Sequence, residues 1–324
     1  MKHFESFLAS KMEEYINYRQ GLGYTDKNIR SLLLPFDRYL NQRRGNWDCF
    51  NPNFFLDLRG EIKADPKTIN GILSAVRGLF QFLVRQGLIQ ENPLQDIPPC
   101  HQRAYIPFIF SVKETEQLLM VVEKKIRKTH MYFLKDHAVY LAIKLIARCG
   151  LRISEPIHLL RNHFREEEGT LYIEKTKFKK DRLIPIPKAL IVDITNYLAL
   201  RSSLLKEDQN PYFLWGGKQR EVSDGRIYSL FHQAVKDINL DEPRRVLANI
   251  TFGSPTPHSL RHSFAVNTLK GVKERGKSPQ NALPILATYM GHRKYRYTAL
   301  YLKVLDAKHR KALVDFTITH QEER

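Results

Sequence analysis

The sequence predicts a mainly α-helical chain of two domains, with one small β-sheet in the second domain. Apolar residues recur at helical spacing along most of the chain, a proline-rich stretch divides it near residue 100, and two strand-like segments flank a lysine-rich turn. The length of 324 residues also exceeds that of an ordinary single domain. We therefore predict a helical domain over 1–100, a linker over 101–110 and a second domain over 111–324.

The first domain is expected to consist of helices separated by turns. FESFLASKMEEYINYR is amphipathic, a second helix covers about Asp26–Asn41, and a third runs from about Pro66 to Gly87. Prolines and charges then mark QENPLQDIPPCHQRAYIP as the connection to the second domain. The expected buried residues are Phe4, Phe7, Leu8, Tyr15 and Ile16 in the first helix, and Ile72, Val76, Leu79, Phe80 and Leu83 in the third.

The second domain begins with a capping box, in which Ser111 and Glu114 precede an apolar run. A strongly apolar helix, AVYLAIKLIARC, follows and ends at Gly150. TLYIE and RLIPIP are typical of two short strands, which would place the lysine-rich KTKFKKD in a basic turn. From Pro187 onward the pattern again indicates helices for the most part.

The composition indicates a polyanionic partner. The chain carries 52 Lys and Arg against 34 Asp and Glu, a formal charge of +18, which favours nucleic acid first and an anionic membrane second. No run approaches the roughly 18 apolar residues of a membrane span, and MKHFESFLAS lacks the apolar core of a signal peptide, so we expect a soluble cytoplasmic protein. Cys49, Cys100 and Cys149 are widely spaced and odd in number, which argues against a disulfide framework and a thiolate zinc site. Nothing in the sequence implies a metal.

Two segments carry cations that suit a phosphate group. In CGLRISEPIHLL, Gly150 ends one helix and Ser154 can begin the next, so Arg152 lies in the joint between them. A surface ion pair with Glu155 is the alternative role for this arginine. In KTKFKKDRL, the lysines suit phosphate contact from a loop, and one crowded lysine could donate a proton to a leaving oxygen. A solvated run of charges explains the same lysines equally well.

The segment TPHSLRHSFAVNTLKG begins a helix. Thr256 is a good N-cap and Pro257 a good first helical residue, which leaves His258 and Arg261 near an open helix N-terminus, a natural site for an anion. An incidental pair on a helix surface is the alternative. No carboxylate cluster accompanies the pair, so the segment is not a metal motif.

The segment MGHRKYRYTALYLKV holds one histidine and three tyrosines. Gly291 can cap a helix that ends at Met290, and His292 follows it directly. Tyr297 and Tyr301 lie four residues apart and would share one face of the next helix. Spacing alone does not distinguish them, and a core aromatic stripe is the alternative for either.

Together the four segments suit phosphoryl transfer without a metal. Arginines grip non-bridging phosphate oxygens and stay charged at any relevant pH. Imidazoles donate hydrogen bonds or move protons near neutrality. A tyrosine can attack phosphorus and leave a covalent ester that stores the bond energy.

The order and spacing of these motifs resemble the tyrosine site-specific recombinase family, which includes phage and transposon integrases and the two-domain Xer-type resolvers. The resemblance covers most of the chain, including LSAVRGLFQFLVRQGLIQENP, which is similar to the end of the family's core-binding domain. The matching positions are Gly150, Leu151, Arg152 and Glu155; His258, Leu260, Arg261 and His262; and Gly291, His292 and Tyr301, with the tyrosine nine residues after His292. The register of Lys180, Asp181 and Arg182 selects Lys177 as the family's hairpin lysine, with Lys175 and Lys179 as substitutes.

The resemblance implies a two-domain clamp around duplex DNA, with the tyrosine recombinase catalytic fold in the second domain. It implies paired inverted-repeat core sites as substrate, a homotetramer in the synaptic complex, accessory DNA-bending or directionality proteins as further partners, and a place at the nucleoid. Neither ATP, a metal nor another cofactor is expected. The implied catalytic residues are Arg152, Lys177, His258, Arg261 and His292, with Tyr301 as the nucleophile.

Two other functions fit related chemistry or the same fold. A type IB-like topoisomerase would relax supercoils as a monomer, although the integrase-like first half counts against it. A DNA-binding regulator would keep the fold and lack catalysis, although all six expected positions hold suitable residues. A metal-dependent nuclease would need a cluster of carboxylates, which the motifs do not contain.

Two features depart from the family pattern or extend beyond its motifs. His292 follows Arg261 by 31 positions, more than is usual in Xer-type members, and the excess falls at 271–281 as an expected basic surface insertion. The tail LDAKHRKALVDFTI has an apolar edge that could dock on a neighbouring subunit or fold on its own domain. That edge consists of Leu305, Leu313, Val314 and Phe316.

Overall fold

The computed structural model describes residues 3–24, 28–174, 181–292 and 294–306. The chain divides into two compact units, Met1–Arg103 and Ala104–Arg324. Residues 104–110, which the sequence assigned to the linker, therefore fall within the second unit.

The first unit is helical. Its helices are α1 (Ala9–Gly21), α2 (Ile29–Gln42), α3 (Pro52–Glu61) and α4 (Pro66–Arg85). The predicted start of α4 at Pro66 is confirmed, and so is its buried stripe, since all five residues expected in it are buried. Helix α3 was not predicted, although Asn51 caps it by accepting a hydrogen bond from the Phe54 N–H at 3.0 Å.

One residue of the expected first stripe lies outside the core. Phe7 is 41% exposed and packs edge-on against Trp47, with the ring centroids 5.4 Å apart. The prediction for Phe7 was wrong because the residue lies before α1, which begins at Ala9, and in that segment helical spacing does not decide which side chains are buried. The other four expected residues are buried.

The second unit is built around α6 (His130–Cys149). Six consecutive residues of this helix, 138–143, are buried, so neighbouring elements surround it on all sides. It follows α5 (Val112–Lys124), whose predicted capping box is confirmed by reciprocal hydrogen bonds between Ser111 and Glu114. The later helices are α7 (Ser154–His158), α8 (Lys188–Leu204), α9 (Asp224–Asp237), α10 (Pro257–Glu274), α11 (Pro279–Met290) and α12 (Arg296–Asp306).

A small antiparallel sheet lies where the sequence predicts it. Its strands are β2 (Phe164–Arg165), β3 (Thr170–Ile173) and β4 (Arg182–Pro185). Leu171 pairs with Ile184, and both side chains are buried on the same face. The lysines at 175–180, between β3 and β4, lie outside the described residues.

A second sheet was not predicted. Strand β1 (Ala104–Ile106) pairs in parallel with β6 (Ile250–Phe252), which pairs in turn with β5 (Arg245–Leu247). After β1, Phe108 and Phe110 are buried in the core of the second unit. Three-residue strands carry almost no periodic signal, and the partner of β1 lies far along the chain, which explains why this segment was taken for linker.

Helix α10 holds the chain that follows β1. The Ser263 hydroxyl accepts a hydrogen bond from the Phe110 N–H at 2.7 Å, and the Asn267 side chain donates to the Phe110 carbonyl at 3.2 Å. Strand β6 directly precedes the same helix in the chain, so the pairing of β1 with β6 and the bonds to Phe110 both help to fix the position of α10. Among the described helices, none is long and apolar enough to cross a membrane.

Candidate active site

The N-terminal turns of α10 carry three of the site's side chains. The helix begins at Pro257 after Thr256, as predicted, and the Ser259 hydroxyl accepts a hydrogen bond from the Thr256 N–H at 3.0 Å. Arg261 is only 1% exposed. Its two terminal nitrogens donate to the carbonyls of Gly150 and Met290, both at 2.6 Å. Arg261 therefore ties the start of α10 to the ends of α6 and α11.

The end of α6 positions Arg152. Gly150 takes the left-handed conformation, with φ of 59°, and turns the chain at the predicted place. Arg152 donates to Glu155 Oε1 at 2.8 Å and to the carbonyl of Gly291 at 2.6 Å. The alternative role of Arg152, an ion pair with Glu155, is thus present but does not lie on a solvated surface, because the Glu155 side chain is 6% exposed.

The carboxylate of Glu155 lies within 4 Å of three arginine side chains, those of Arg152, Arg182 and Arg261. Arg182 donates to both of its carboxylate oxygens, at 3.0 and 2.8 Å, and Arg261 lies 3.9 Å away. Burial by itself raises the pKa of Glu155, but the hydrogen bond from Arg182 and the charges of Arg182 and Arg261 outweigh it and hold the pKa below its ordinary value. One carboxylate among three guanidinium groups leaves the site with a positive charge, which suits an anion.

The end of α11 positions His292. Gly291 is left-handed, with φ of 65°, as the sequence predicts for a cap. His292 then forms a hydrogen bond through Nδ1 with the hydroxyl of Thr298, a fully buried residue of α12, at 2.7 Å. Burial, followed by the charges of Arg261 and Arg152, lowers the pKa of His292 to about 3. The ring is therefore neutral at neutral pH.

Helix α12 separates the two tyrosines that spacing left equivalent. Tyr301 is 5% exposed, whereas Tyr297 is 46% exposed. The Tyr301 hydroxyl lies 2.9 Å from His262 Nδ1, and its ring stacks on His292 with the centroids 6.2 Å apart. Burial raises the pKa of Tyr301 to about 12, against the opposing charges of Arg261 and Arg152, so the phenol is protonated at neutral pH.

Two histidines on successive turns of α10 line the same region. The rings of His258 and His262 meet edge to face, with centroids 4.6 Å apart. By its total surface area His258 is an exposed residue. Its imidazole ring is nevertheless partly shielded from water, and this desolvation, followed by the charges of Arg261 and Arg152, lowers its pKa. Burial, with His258 and Arg261, lowers the pKa of His262 to about 3.

The sequence analysis placed His262 in a motif without giving it a role. It did not identify Thr298 as a site residue, nor did it predict that the Arg182 side chain is buried in the site. Arg182 begins β4 and donates from Nε to the Tyr289 carbonyl at 2.8 Å, so it anchors the hairpin to α11. A signal for Arg182 was available in the Lys-Asp-Arg register. The contact of His262 with Tyr301 depends on how α12 packs on α10, which no local pattern records.

Some of the predicted features lie outside the described residues, and the expected insertion is not a separate loop. Lys177 and its substitutes Lys175 and Lys179 lie outside the described residues, as do Leu313, Val314 and Phe316 of the tail. The expected insertion at 271–281 consists of the last turn of α10, a short loop and the first turn of α11, and is mostly exposed. Among the side chains that the structure describes, no group of three or more His, Cys, Asp or Glu residues is placed to hold a metal ion.

A buried tyrosine beside histidines and two arginines, in a helical unit with a small antiparallel sheet, defines the tyrosine recombinase and integrase class. Residues 110–308 match the phage integrase family. The chain belongs to this family.

Relatives and solved structures agree with this assignment. The chain is 27% identical over 305 residues to the tyrosine recombinase XerA of Pyrococcus furiosus, covering 94% of this chain and 92% of the relative. XerH bound to its difH substrate before cleavage matches with a TM-score of 0.65 and 19% identity, over 94% of this chain and 83% of XerH. A lambda integrase tetramer on a Holliday junction matches with a TM-score of 0.62 and 15% identity, over 89% of this chain and 77% of the integrase chain. At these identities the two structures show a shared fold.

Proposed function

We propose that the protein cuts and rejoins duplex DNA at a specific site through a 3′-phosphotyrosyl intermediate, with Tyr301 as the nucleophile. The observation that carries this proposal is the convergence of four side chains at the end of α11. Arg152 and Arg261 bind the carbonyls of Gly291 and Met290, His292 follows directly, and the Tyr301 ring stacks on His292. This arrangement places a nucleophile next to fixed positive charge.

In this mechanism Arg152, Arg261 and His292 hold the non-bridging oxygens of the scissile phosphate. Each guanidinium has five N–H donors, so donors remain after the carbonyl contacts are made. Because the helix ends fix both arginines, little reorganisation is needed as charge builds on the phosphate. Removing one such donor typically costs about 100- to 1,000-fold in rate.

Lys177 is assigned to protonation of the leaving 5′-oxygen, and His258 to a proton acceptor or orienting donor. Support for Lys177 comes from its register before Lys180, Asp181 and Arg182. The hairpin strands on either side of it, β3 and β4, are paired, and Arg182 anchors β4 beside the site.

The reaction needs neither ATP nor a metal in this proposal, because one phosphate ester is exchanged for another and the arginines supply the stabilising charge. The substrate would be paired inverted-repeat core sites of a mobile element at the nucleoid, bound by a homotetramer. The lambda integrase tetramer on a Holliday junction and the family's description support this assembly and role. Accessory DNA-bending or directionality proteins would complete the complex.

The test uses a nicked suicide duplex whose sequence is first selected from a random DNA pool by binding to the protein. We expect a covalent adduct that persists in EDTA, disappears in Tyr301→Phe and remains in Tyr297→Phe. The second variant is a matched control, since Tyr297 lies on the same helix but is exposed.

Each other outcome points to a different function. An adduct at any sequence, together with relaxation of supercoiled DNA, would indicate a topoisomerase. Tight binding with no adduct would indicate a DNA-binding regulator. Cleavage abolished by EDTA would indicate a metal-dependent nuclease.

A further inference from the structure

The phenol of Tyr301 has one direct partner that the proposed mechanism does not use. His262 Nδ1 lies 2.9 Å from the Tyr301 hydroxyl oxygen, within hydrogen-bond distance. The two rings are tilted, with centroids 5.7 Å apart, as expected for a contact made through the ring edge nitrogen. His262 therefore touches the atom that would attack phosphorus.

We propose that His262 is the general base of the reaction: its Nδ1 takes the phenolic proton as Tyr301 attacks the scissile phosphate. This inference rests on the proposed function. It moves the first proton transfer from His258 to His262 and leaves His258 as the neighbour that packs against the base.

Geometry distinguishes His262 from the two other histidines of the site. His292 Nδ1 is already bonded to the Thr298 hydroxyl at 2.7 Å, and its ring stacks on Tyr301 with the centroids 6.2 Å apart. His258 meets the ring of His262 at 4.6 Å. Among the described histidines, His262 is the one whose nitrogen is hydrogen-bonded to the Tyr301 oxygen.

The position of His262 is rigid. It directly follows Arg261, whose two bonds of 2.6 Å tie this turn of α10 to the ends of α6 and α11. Ser263, the next residue, is also bonded, to the Phe110 N–H at 2.7 Å. A base held in this way stays aligned with its proton, which is the first requirement for general base catalysis.

The protonation state of His262 suits this role. The charged and titratable groups that face His262 are His258 and Arg261 on its own helix, His292 after α11 and Tyr301 on α12. Together with burial, the first three lower its pKa, so the ring is neutral and can accept a proton. A bound phosphate would offset the positive charge of Arg261 and raise the pKa of His262, which strengthens it as a base.

The cleavage step exchanges one phosphate ester for another and transfers two protons. The O–H bond of Tyr301 breaks, its electron pair forms the bond to phosphorus, and the proton passes to His262. The bond from phosphorus to the 5′-oxygen breaks, and that oxygen receives a proton from the general acid, assigned to Lys177. In rejoining, the 5′-hydroxyl attacks phosphorus and gives its proton back to Lys177, while the Tyr301 oxygen leaves and receives the proton held by His262.

The experiment measures single-turnover cleavage of the suicide duplex by wild type, His262→Ala and His262→Asn. Asparagine keeps a polar atom near the place of Nδ1 but cannot carry the proton. We expect both variants to cleave about 100- to 10,000-fold more slowly at neutral pH. His232→Asn is the matched control, because His232 is exposed on α9 and stacks on a different tyrosine, Tyr228.

Two further readouts separate a base from a residue that merely packs. Cleavage by His262→Asn should rise about tenfold per pH unit through the alkaline range, because the phenol must then ionise without help, while wild type levels off. A duplex with sulfur in place of the bridging 5′-oxygen needs no general acid; it should rescue Lys177→Ala and leave His262→Asn slow.

The outcomes distinguish this inference from the proposed function. If wild type forms no adduct on the selected duplex, the proposed function fails. If wild type forms the Tyr301 adduct but His262→Asn cleaves within about threefold of it with the same pH profile, only the inference fails. Thermal unfolding and DNA affinity of each variant, compared with wild type, show whether a slow variant is still folded and bound. If one of the two variants, His262→Ala or His262→Asn, is unfolded, the cleavage rate of the other decides the question.

Discussion

Glu155 is the residue that allows three arginines to share one small site. Its side chain is 6% exposed and accepts hydrogen bonds from Arg152 and Arg182, while Arg261 stands 3.9 Å away. Without the carboxylate these cations would repel one another in a partly dehydrated region. Removing one partner of a buried ion pair typically costs about 3–5 kcal/mol.

We therefore expect Glu155→Gln to lower the free energy of unfolding by about 3 kcal/mol at neutral pH. The pKa of Glu155 lies below its ordinary value in the folded protein, so its stabilising effect is present above that ordinary value and is lost as the pH falls through the folded pKa. The difference in the free energy of unfolding between wild type and Glu155→Gln should therefore narrow in strong acid. Chemical unfolding at several pH values measures this.

Glu168→Gln is the control for that measurement. Glu168 pairs with Arg165 on the surface, and both side chains are about half exposed. An exposed pair contributes at most about 1 kcal/mol, so this variant should unfold almost as wild type does. Equal losses for the two variants would contradict the role given to Glu155.

Sequence reasoning located most of the site at this scale. Arg152, Arg261, His292 and Tyr301 were identified through the resemblance of their motifs to the tyrosine recombinase family, since spacing alone left other roles open for each. His262 was not assigned a role, because its contact with Tyr301 arises only when α12 folds onto α10. The exposed position of Tyr297 has the same origin, since spacing alone made it equivalent to Tyr301.

At the scale of elements, the site is formed where helices end. Helices α6 and α11 both end in a left-handed glycine, and the carbonyls that these ends leave free are the acceptors for Arg152 and Arg261. The two arginines thus satisfy helix ends and face the site at once. This explains why a glycine precedes both Arg152 and His292 in the sequence.

Gly150 is required for its conformation and for its packing. An alanine there would be strained in the left-handed region, and its Cβ would overlap the ring of Phe264. We expect Gly150→Ala to reduce the free energy of unfolding by about 2–4 kcal/mol, from about 1 kcal/mol of backbone strain and about 1–3 kcal/mol of overpacking. Chemical denaturation measures the loss.

Gly276→Ala isolates the backbone part of that cost. Gly276 is left-handed too, with φ of 70°, but a Cβ there would meet no atom within 4 Å. We expect it to lose only about 1 kcal/mol. If both variants lost the same amount, the packing of Gly150 against Phe264 would be refuted.

Element boundaries were predictable where a residue that starts or ends helices stands in the sequence. Pro66, Ser111, Gly150 and Pro257 each start or stop a helix by local chemistry, and the structure confirms all four. Strands β1, β5 and β6 could not be found in this way, because three residues give no period and their pairing is decided by distant partners.

At the scale of the whole molecule, the dominant property is the formal charge of +18. A protein that neutralises DNA phosphates releases counterions, so its affinity falls steeply with salt. We expect the affinity for a duplex to drop by about 1,000- to 100,000-fold between roughly 50 and 200 mM salt if about 6–10 phosphates are contacted. Fluorescence anisotropy across a salt series measures the slope.

Arg261→Ala offers a contrast within the same series. Arg261 is almost fully buried, so it adds little to the broad charge of the surface, and in the proposed mechanism it acts at one phosphate only. Its variant should keep nearly the wild-type salt slope while losing cleavage. An affinity that did not change with salt would contradict the view that charge drives DNA binding.

If Tyr301 is the nucleophile, the cleaved DNA strand must be attached to it, and identifying the residue that carries the DNA tests this directly. The adduct trapped on the suicide duplex is digested with nuclease and protease, and the modified peptide is sequenced by mass spectrometry. We expect a nucleotide 3′-phosphate on Tyr301. A nucleotide on Tyr297, on Tyr295 or on any other residue would contradict it.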